Sequence, residues 1–274
     1  MSPAPVLDLI EAFRHSKAMF AAVSLGIFDR LQKGPAEARE FGGNPDAVER
    51  LLDACVGLQL LEKRGALYAN TPLAEKYLCR SSPDTLCGYI LYSDKALFPM
   101  WAHLEEAVLE GTHRWRQTFG GTGTLFSNFF KTEEATREFL LGMHGFGRLS
   151  SSAIVAAFDL SRFRKLVDLG GATGHFALAA VERYPSLHAA VFDLPAVVPV
   201  AREFAAGRIE VIEGDFFDDP LPEADLFSLG RILHDWSEEK IGRLLRKIHR
   251  RLPAGGALLV AERLLAGDKT GPVS

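Results

Sequence analysis

The sequence predicts an α/β fold: a parallel sheet covered on both faces by helices, preceded by a mostly helical domain. Two observations carry this. From residue 165 onward, short apolar runs alternate with amphipathic stretches of helical length, the pattern of repeated strand–helix units. Before about residue 160 the apolar residues recur at helical spacing, interrupted by one pair of short strand-like runs. With 274 residues, 47% of them hydrophobic, there is apolar material for two cores, and the expected domains are residues 1–95 and 96–274.

In chain order, Val6, Leu9, Ile10, Phe13, Met19, Phe20, Val23 and Leu25 form the first helical stripe, which Gly26 breaks before Ile27, Phe28 and Leu31. Asn44-Pro45-Asp46 predicts a helix start, because the Asn side chain caps open amides and proline needs no N–H partner there. Val48, Leu51, Leu52, Cys55 and Val56 follow on one face. Leu60 to Asn70 reads as two short strands around an Arg64-Gly65 turn. Helix, helix and hairpin make a winged-helix-like layout. A groove-reading helix needs Lys and Arg for phosphates, and this one sets Asp46, Glu49 and Asp53 against Arg50 alone. Packing or dimerisation is therefore the expected role, not nucleic-acid binding. Leu97 to Phe158 reads as helical throughout, with a flexible break at Gly120-Gly121-Thr122-Gly123.

Five strands follow, at Lys165–Leu169, Ala189–Asp193, Arg208–Ile212, Asp225–Leu229 and Ala257–Ala261. Helices are expected after the first strand to about Tyr184, over Val197–Ala206 and over Glu238–Leu252. A net charge of −4 gives no general pull toward nucleic acid or anionic membranes, and neither a spanning helix nor a signal peptide fits. Cys55, Cys79 and Cys87 are sparse, odd in number and without metal-ligand spacing, as expected of reduced thiols in the cytoplasm.

The residues that carry chemistry stand where the strands end. Asp168-Leu169-Gly170-Gly171-Ala172-Thr173-Gly174 lets a ligand approach the backbone, and the next helix aims free N–H groups at it. The same glycines also suit tight strand-to-helix packing, and the dinucleotide pattern G-x-G-x-x-G is not met. Asp193 ends the second strand, where a carboxylate accepts two hydrogen bonds from a ribose diol. Gly214-Asp215-Phe216 ends the third, offering an acceptor for an amino group beside an aromatic face for a base. The fourth leads into Arg231-Ile232-Leu233-His234-Asp235-Trp236, and His234 opens on the predicted crevice with a side chain suited to proton transfer near neutral pH. The remaining histidines, His144 among them, have no such setting.

Asp168-Leu169-Gly170-Gly171, Val191-Phe192-Asp193-Leu194-Pro195, Glu213-Gly214-Asp215-Phe216-Phe217, the Asp219 to Asp225 run and Arg231 to Trp236 together resemble the S-adenosylmethionine-dependent O-methyltransferases, of the acetylserotonin and plant caffeate type. The resemblance runs from about residue 8 to the last residue. It implies a winged-helix-like dimerisation domain before a Rossmann-like class I methyltransferase domain, a homodimer, S-adenosylmethionine as cofactor and a small hydroxylated, aromatic acceptor. Carried over residue by residue, Gly170 lies in the cofactor loop, Asp193 holds the ribose, and Gly214, Asp215 and Phe216 surround the adenine. Arg231 matches a cofactor contact, His234 the general base and Glu262 the acid that orients it. No metal-ligand cluster accompanies them, which argues against a magnesium-chelating mechanism.

Two features depart from the family. Ala172 replaces the middle glycine of its loop, and the sequence ends at Ser274 without the family's substrate-lining helix, second glutamate and closing antiparallel hairpin. The fifth strand is then expected to be an unpaired edge. The alternative to an active enzyme is a catalytically deficient cofactor-binding or dimerisation module. Phe98, Met100, Trp101, Phe129, Phe130, Met143 and Phe146 are candidates to line an apolar acceptor pocket, although at helical spacing they equally suit a core.

Overall fold

Lys165–Leu169, the run that reads as the first buried strand, lies at the centre of a five-stranded parallel sheet in the computed structural model, which describes residues 2–120 and 132–271. The described residues divide into two units, 2–120 and 132–271.

In the first unit, α1 (Ala4–Ser24) and α2 (Ile27–Leu31) are separated where Gly26 takes a left-handed φ of +70°. Asn44 caps α3 (Pro45–Gly57), its side chain accepting from the Ala47 amide at 3.0 Å. A short strand β1 (Ala36–Glu37), not expected from the sequence, joins the hairpin β2 (Leu61–Arg64) and β3 (Leu67–Asn70) in the order β1-β3-β2. Asp53 of α3 accepts from Lys63 at 2.6 Å and from Tyr68 at 2.7 Å, so this acid ties helix to hairpin. Phe28, Leu52, Cys55 and Tyr68 are buried in one core with Cys79 and Cys87, and all three cysteines are free thiols. The helices α4 (Pro72–Tyr77), α5 (Cys87–Tyr92), α6 (Phe98–Trp101), α7 (Leu104–Glu110) and α8 (Trp115–Phe119) complete the unit. The continuous helix expected from Leu97 is interrupted instead. Gly111 ends α7 with φ +66°, a conformation that continues no right-handed helix. Gly121 to Gly123 lie outside the described residues.

The second unit begins with α9 (Glu133–Ala157) and runs β4 (Lys165–Leu169), α10 (His175–Arg183), β5 (His188–Asp193), α11 (Val198–Ala205), β6 (Glu210–Glu213), β7 (Leu226–Gly230), α12 (Glu238–Arg251) and β8 (Ala257–Ala261). The strand order is β6-β5-β4-β7-β8, all parallel, so the chain reverses direction across the sheet between β4 and β7. A reversal of this kind opens a crevice at the carboxyl ends of the strands. Strand alternation sets the two faces. Leu166 packs with Phe176, Ala177 and Ala180 of α10, whereas Val167 and Leu169 pack with Leu244 and Ile248 of α12. Asp225 accepts the amides of Arg164 and Lys165 at 2.8 Å each, fixing the start of β4 at the opposite end from the crevice. Within the described residues β8 pairs only with β7 and forms an edge. No described helix is long and apolar enough to cross a membrane.

Candidate functional site

Asp193 stitches three strand ends together. Its carboxylate accepts the Ala172 amide at Oδ2 and the Leu194 amide at Oδ1, each at 2.8 Å, and its backbone carbonyl accepts Gly214 N–H at 2.9 Å. Burial pushes its carboxyl up to about 6, against the pull of the two amides. A carboxylate has about four lone-pair positions, so about two remain open here.

Two glycines are dictated by what surrounds them. Gly170 has φ +67°, and a Cβ there would stand 2.7 Å from Ile232 Cδ1 and 3.3 Å from Phe216 Cε1. A Cβ on Gly214 would meet the buried Phe192 ring at 2.3 Å. The packing reading of the glycine-rich turn therefore holds: the glycines permit tight internal packing, and that packing brings Phe216 over the loop after β4. Ala172 occupies the left-handed region at φ +51°, with its side chain against the cluster of Leu140, Val197, Val200 and Ala201. Asp215 accepts Phe217 N–H at 2.7 Å, and its own amide donates to Asp219 at 2.8 Å.

Beyond β7 the chain turns at Arg231, whose φ is +57°. Its guanidinium lies 4.4 Å from the Phe146 ring centroid and donates to Ser150 at 2.9 Å, both on α9. Glu262, just past β8, accepts Leu233 N–H at 2.9 Å through Oε1 and contacts His234 Nδ1 at 2.9 Å through Oε2. The His234 side chain is 58% exposed and that of Glu262 12%, so the carboxylate is the fixed partner and the imidazole reaches outward. Asp235 stands 3.7 Å from His234 Nε2, and burial raises its carboxyl. Gly170, Asp193, Gly214 and Phe216 are thus joined by bonds or close packing, Asp215 adjoins them, Arg231 is anchored on α9, and His234 and Glu262 form a separate pair.

The polar contacts of His144, His175 and Ser151 at this end escaped the sequence reading. His144 bonds Thr173 at 2.8 Å, and His175 bonds Ser151 at 2.8 Å. Burial lowers His144 to about 4 and His175 to about 3, so both imidazoles are neutral at pH 7. Ser151 spends its one hydroxyl hydrogen on the Gly147 carbonyl at 2.8 Å, which leaves His175 Nδ1–H as the donor to Ser151. Asp168, reached by the Ser228 hydroxyl at 2.6 Å, is pushed up to about 7 by burial. The available signal was the spacing of His144, Gly147 and Ser151, three small or polar residues along one helix face. Of the pocket candidates, Phe129 and Phe130 lie outside the described residues. Trp101 is 66% exposed.

A Rossmann-like sheet with acids and glycines at its strand ends belongs to the class of α/β folds that bind ligands in the crevice at the carboxyl edge. Residues 101–274 match the O-methyltransferase domain and residues 7–80 the O-methyltransferase dimerisation domain, so the chain belongs to the S-adenosylmethionine-dependent O-methyltransferase family. Among its relatives, acetylserotonin O-methyltransferase of Bos taurus is 42% identical over 97% of this chain and 82% of its own length. The Homo sapiens enzyme of the same name is 38% identical, over 97% and 81%. The crystal structure of human N-acetylserotonin methyltransferase in complex with SAM superposes with a TM-score of 0.94 at 37% identity, covering 98% of this chain and 82% of that one. PigF with SAH gives 0.88 at 28% identity, covering 99% and 84%.

Proposed function

We propose that this chain methylates a hydroxyl of a small aromatic acceptor, with His234 as general base and Glu262 as the acid that orients it. The observation that carries this reading is the double engagement of Glu262, which holds Leu233 N–H with one oxygen and His234 with the other, each at 2.9 Å. A carboxylate held in this way keeps the proton on Nδ1 and the lone pair on Nε2, and it stabilises the imidazolium that forms when Nε2 takes the acceptor's proton. Base assistance of this kind contributes about 10²–10⁴-fold in rate.

The donor set suits S-adenosylmethionine. Asp193, buried with about two lone-pair positions open, matches two ribose hydroxyls, and those donors would relieve a carboxyl that burial holds near 6. Gly170 and Gly214 let Phe216 and the strand ends pack closely around the site, Asp215 and the Phe216 ring would serve the adenine, and Arg231 would contact the cofactor from the end of β7. The bound cofactor supplies an electrophilic sulfonium methyl, which needs positioning more than activation. The protein's remaining tasks are to align the acceptor oxygen and remove its proton. The names of the relatives make N-acetylserotonin, followed by simple phenols, the first acceptors to assay. The first unit, matched to a dimerisation domain, is assigned to pairing two copies.

The test is His234→Ala. Methyl transfer should fall at least a hundredfold while the Kd for S-adenosylhomocysteine stays within threefold. Equal loss of both would remove His234 from the role of base. Tight cofactor binding without transfer to any phenol by the unaltered chain would favour a binding module over an enzyme.

A further inference from the structure

Arg243, Lys247 and Arg251 recur every fourth residue of α12 and so share one face. That face meets the backbone of the loop from Asp215 to Pro222. Lys247 Nζ donates to the carbonyls of Phe216 at 2.9 Å, Phe217 at 3.0 Å and Asp219 at 2.5 Å. Arg243 donates to the Phe217 carbonyl at 3.0 Å and to Asp218 at 2.9 Å. Arg251 Nε reaches the carbonyls of Leu221 at 2.9 Å and Pro222 at 3.2 Å. An ammonium has three donors and no acceptor, so Lys247 meets three carbonyls with its full complement. Bonds from a charged donor are the stronger kind.

A peptide whose carbonyl is held has its N–H direction held too. In this loop the Phe216 carbonyl shares its peptide with Phe217 N–H, which goes to Asp215; Asp219, whose carbonyl is held too, accepts Asp215 N–H, and the Phe216 ring packs at Gly170. We propose that Lys247 is a positioning residue for cofactor binding: by gripping the carbonyls of Phe216, Phe217 and Asp219 from behind, it presents the Asp215 carboxylate and the Phe216 ring to the adenine. The inference rests on the adenine assignment above. It also accounts for a helix rich in Arg and Lys in a protein of net negative charge, because this part of its basic face is directed at the loop and not at a polyanion.

The experiment compares Lys247→Met, Lys247→Arg and Asp215→Asn in the full chain, by calorimetric titration with S-adenosylhomocysteine and by steady-state kinetics. Lys247→Met should raise the Kd and the KM for S-adenosylmethionine about tenfold, with kcat at saturating cofactor within twofold. Lys247→Arg, which retains charge and donors, should return the Kd to within threefold. Because Lys247 acts through Asp215 and Phe216, the double variant Lys247→Met, Asp215→Asn should bind less weakly than the product of the two single losses. If Asp215→Asn weakens binding and Lys247→Met does not, the clamp is wrong and the adenine site stands. If neither does, the adenine assignment itself fails. Loss of kcat at unchanged KM would make Lys247 structural only and overturn the proposal. Should the Met variant not fold, Lys247→Gln, with one amide group left to donate, should give an intermediate Kd, and an unchanged Kd there overturns the proposal equally.

Discussion

Asp168 and Asp193 are both buried acids, yet their partners make them respond oppositely to the same substitution. Asp193 accepts a backbone amide on each oxygen, and an asparagine has one oxygen to offer. Asp193→Asn therefore leaves one amide facing another donor, costing about 1–3 kcal/mol of stability, and thermal unfolding should show it. Asp168 accepts the Ser228 hydroxyl, which an asparagine oxygen receives as well. Its carboxyl is raised from 3.8 to about 7, so between those values the folded chain holds a proton that the unfolded chain releases. The stability contributed by this group accordingly falls as pH rises through that window. Asp168→Asn removes the loss: without cofactor it should melt above the unaltered protein at pH 8, with the gap closing toward pH 4. His144 and His175 titrate the opposite way in both proteins and cancel from the difference. A gap of the same size at both pH values would contradict the buried-charge account.

Between α9 and α10 the decisive feature is the absence of a side chain. A Cβ at Gly147 would stand 2.2 Å from His175 Nε2, with the rest of the ring close behind. Gly147→Ala should cost about 1–3 kcal/mol by overpacking, read as a lowered Tm, and should weaken cofactor binding because His175 opens the helix after the glycine loop. Paired with His175→Ala, which removes the obstructing ring, most of the loss should return. Individual elements were legible in the sequence wherever their signals are local. The Asn44 cap, the Gly26 break and five strands found within two residues of their expected bounds follow from capping, φ restriction and apolar periodicity, which short stretches carry unaided. The two-residue β1 has too little pattern to read, and its pairing with β3 spans about thirty residues of chain. Leu97 to Phe158 misled because its apolar spacing continues across Gly111, where the backbone turns left-handed.

For the whole molecule, assembly follows from an uncovered surface. Leu9 is 77% and Phe13 53% exposed on α1, within the segment matched to the dimerisation domain. Apolar side chains of this size, left bare along one helix, mark an interaction surface. Replacing both, Leu9→Glu with Phe13→Glu, should convert the expected homodimer to a monomer by light scattering while leaving the fold of the second unit intact by circular dichroism. A variant that still elutes as a dimer would put the interface elsewhere on the first unit.

The sequence by itself determined the order of strands and helices and which acids and glycines stand at the strand ends, because periodicity and turn chemistry are properties of neighbouring residues. It also placed Glu262 with His234, through likeness to relatives, and the two are bonded in the fold. Only the tertiary structure decided that Asp168 and Asp193 hold protons well above the usual carboxylate range, that His144 and His175 stay neutral, and that Lys247 grips the loop carrying Asp215. Each of these depends on burial and on contacts between residues twenty or more positions apart, and neither quantity is written in any local stretch of chain.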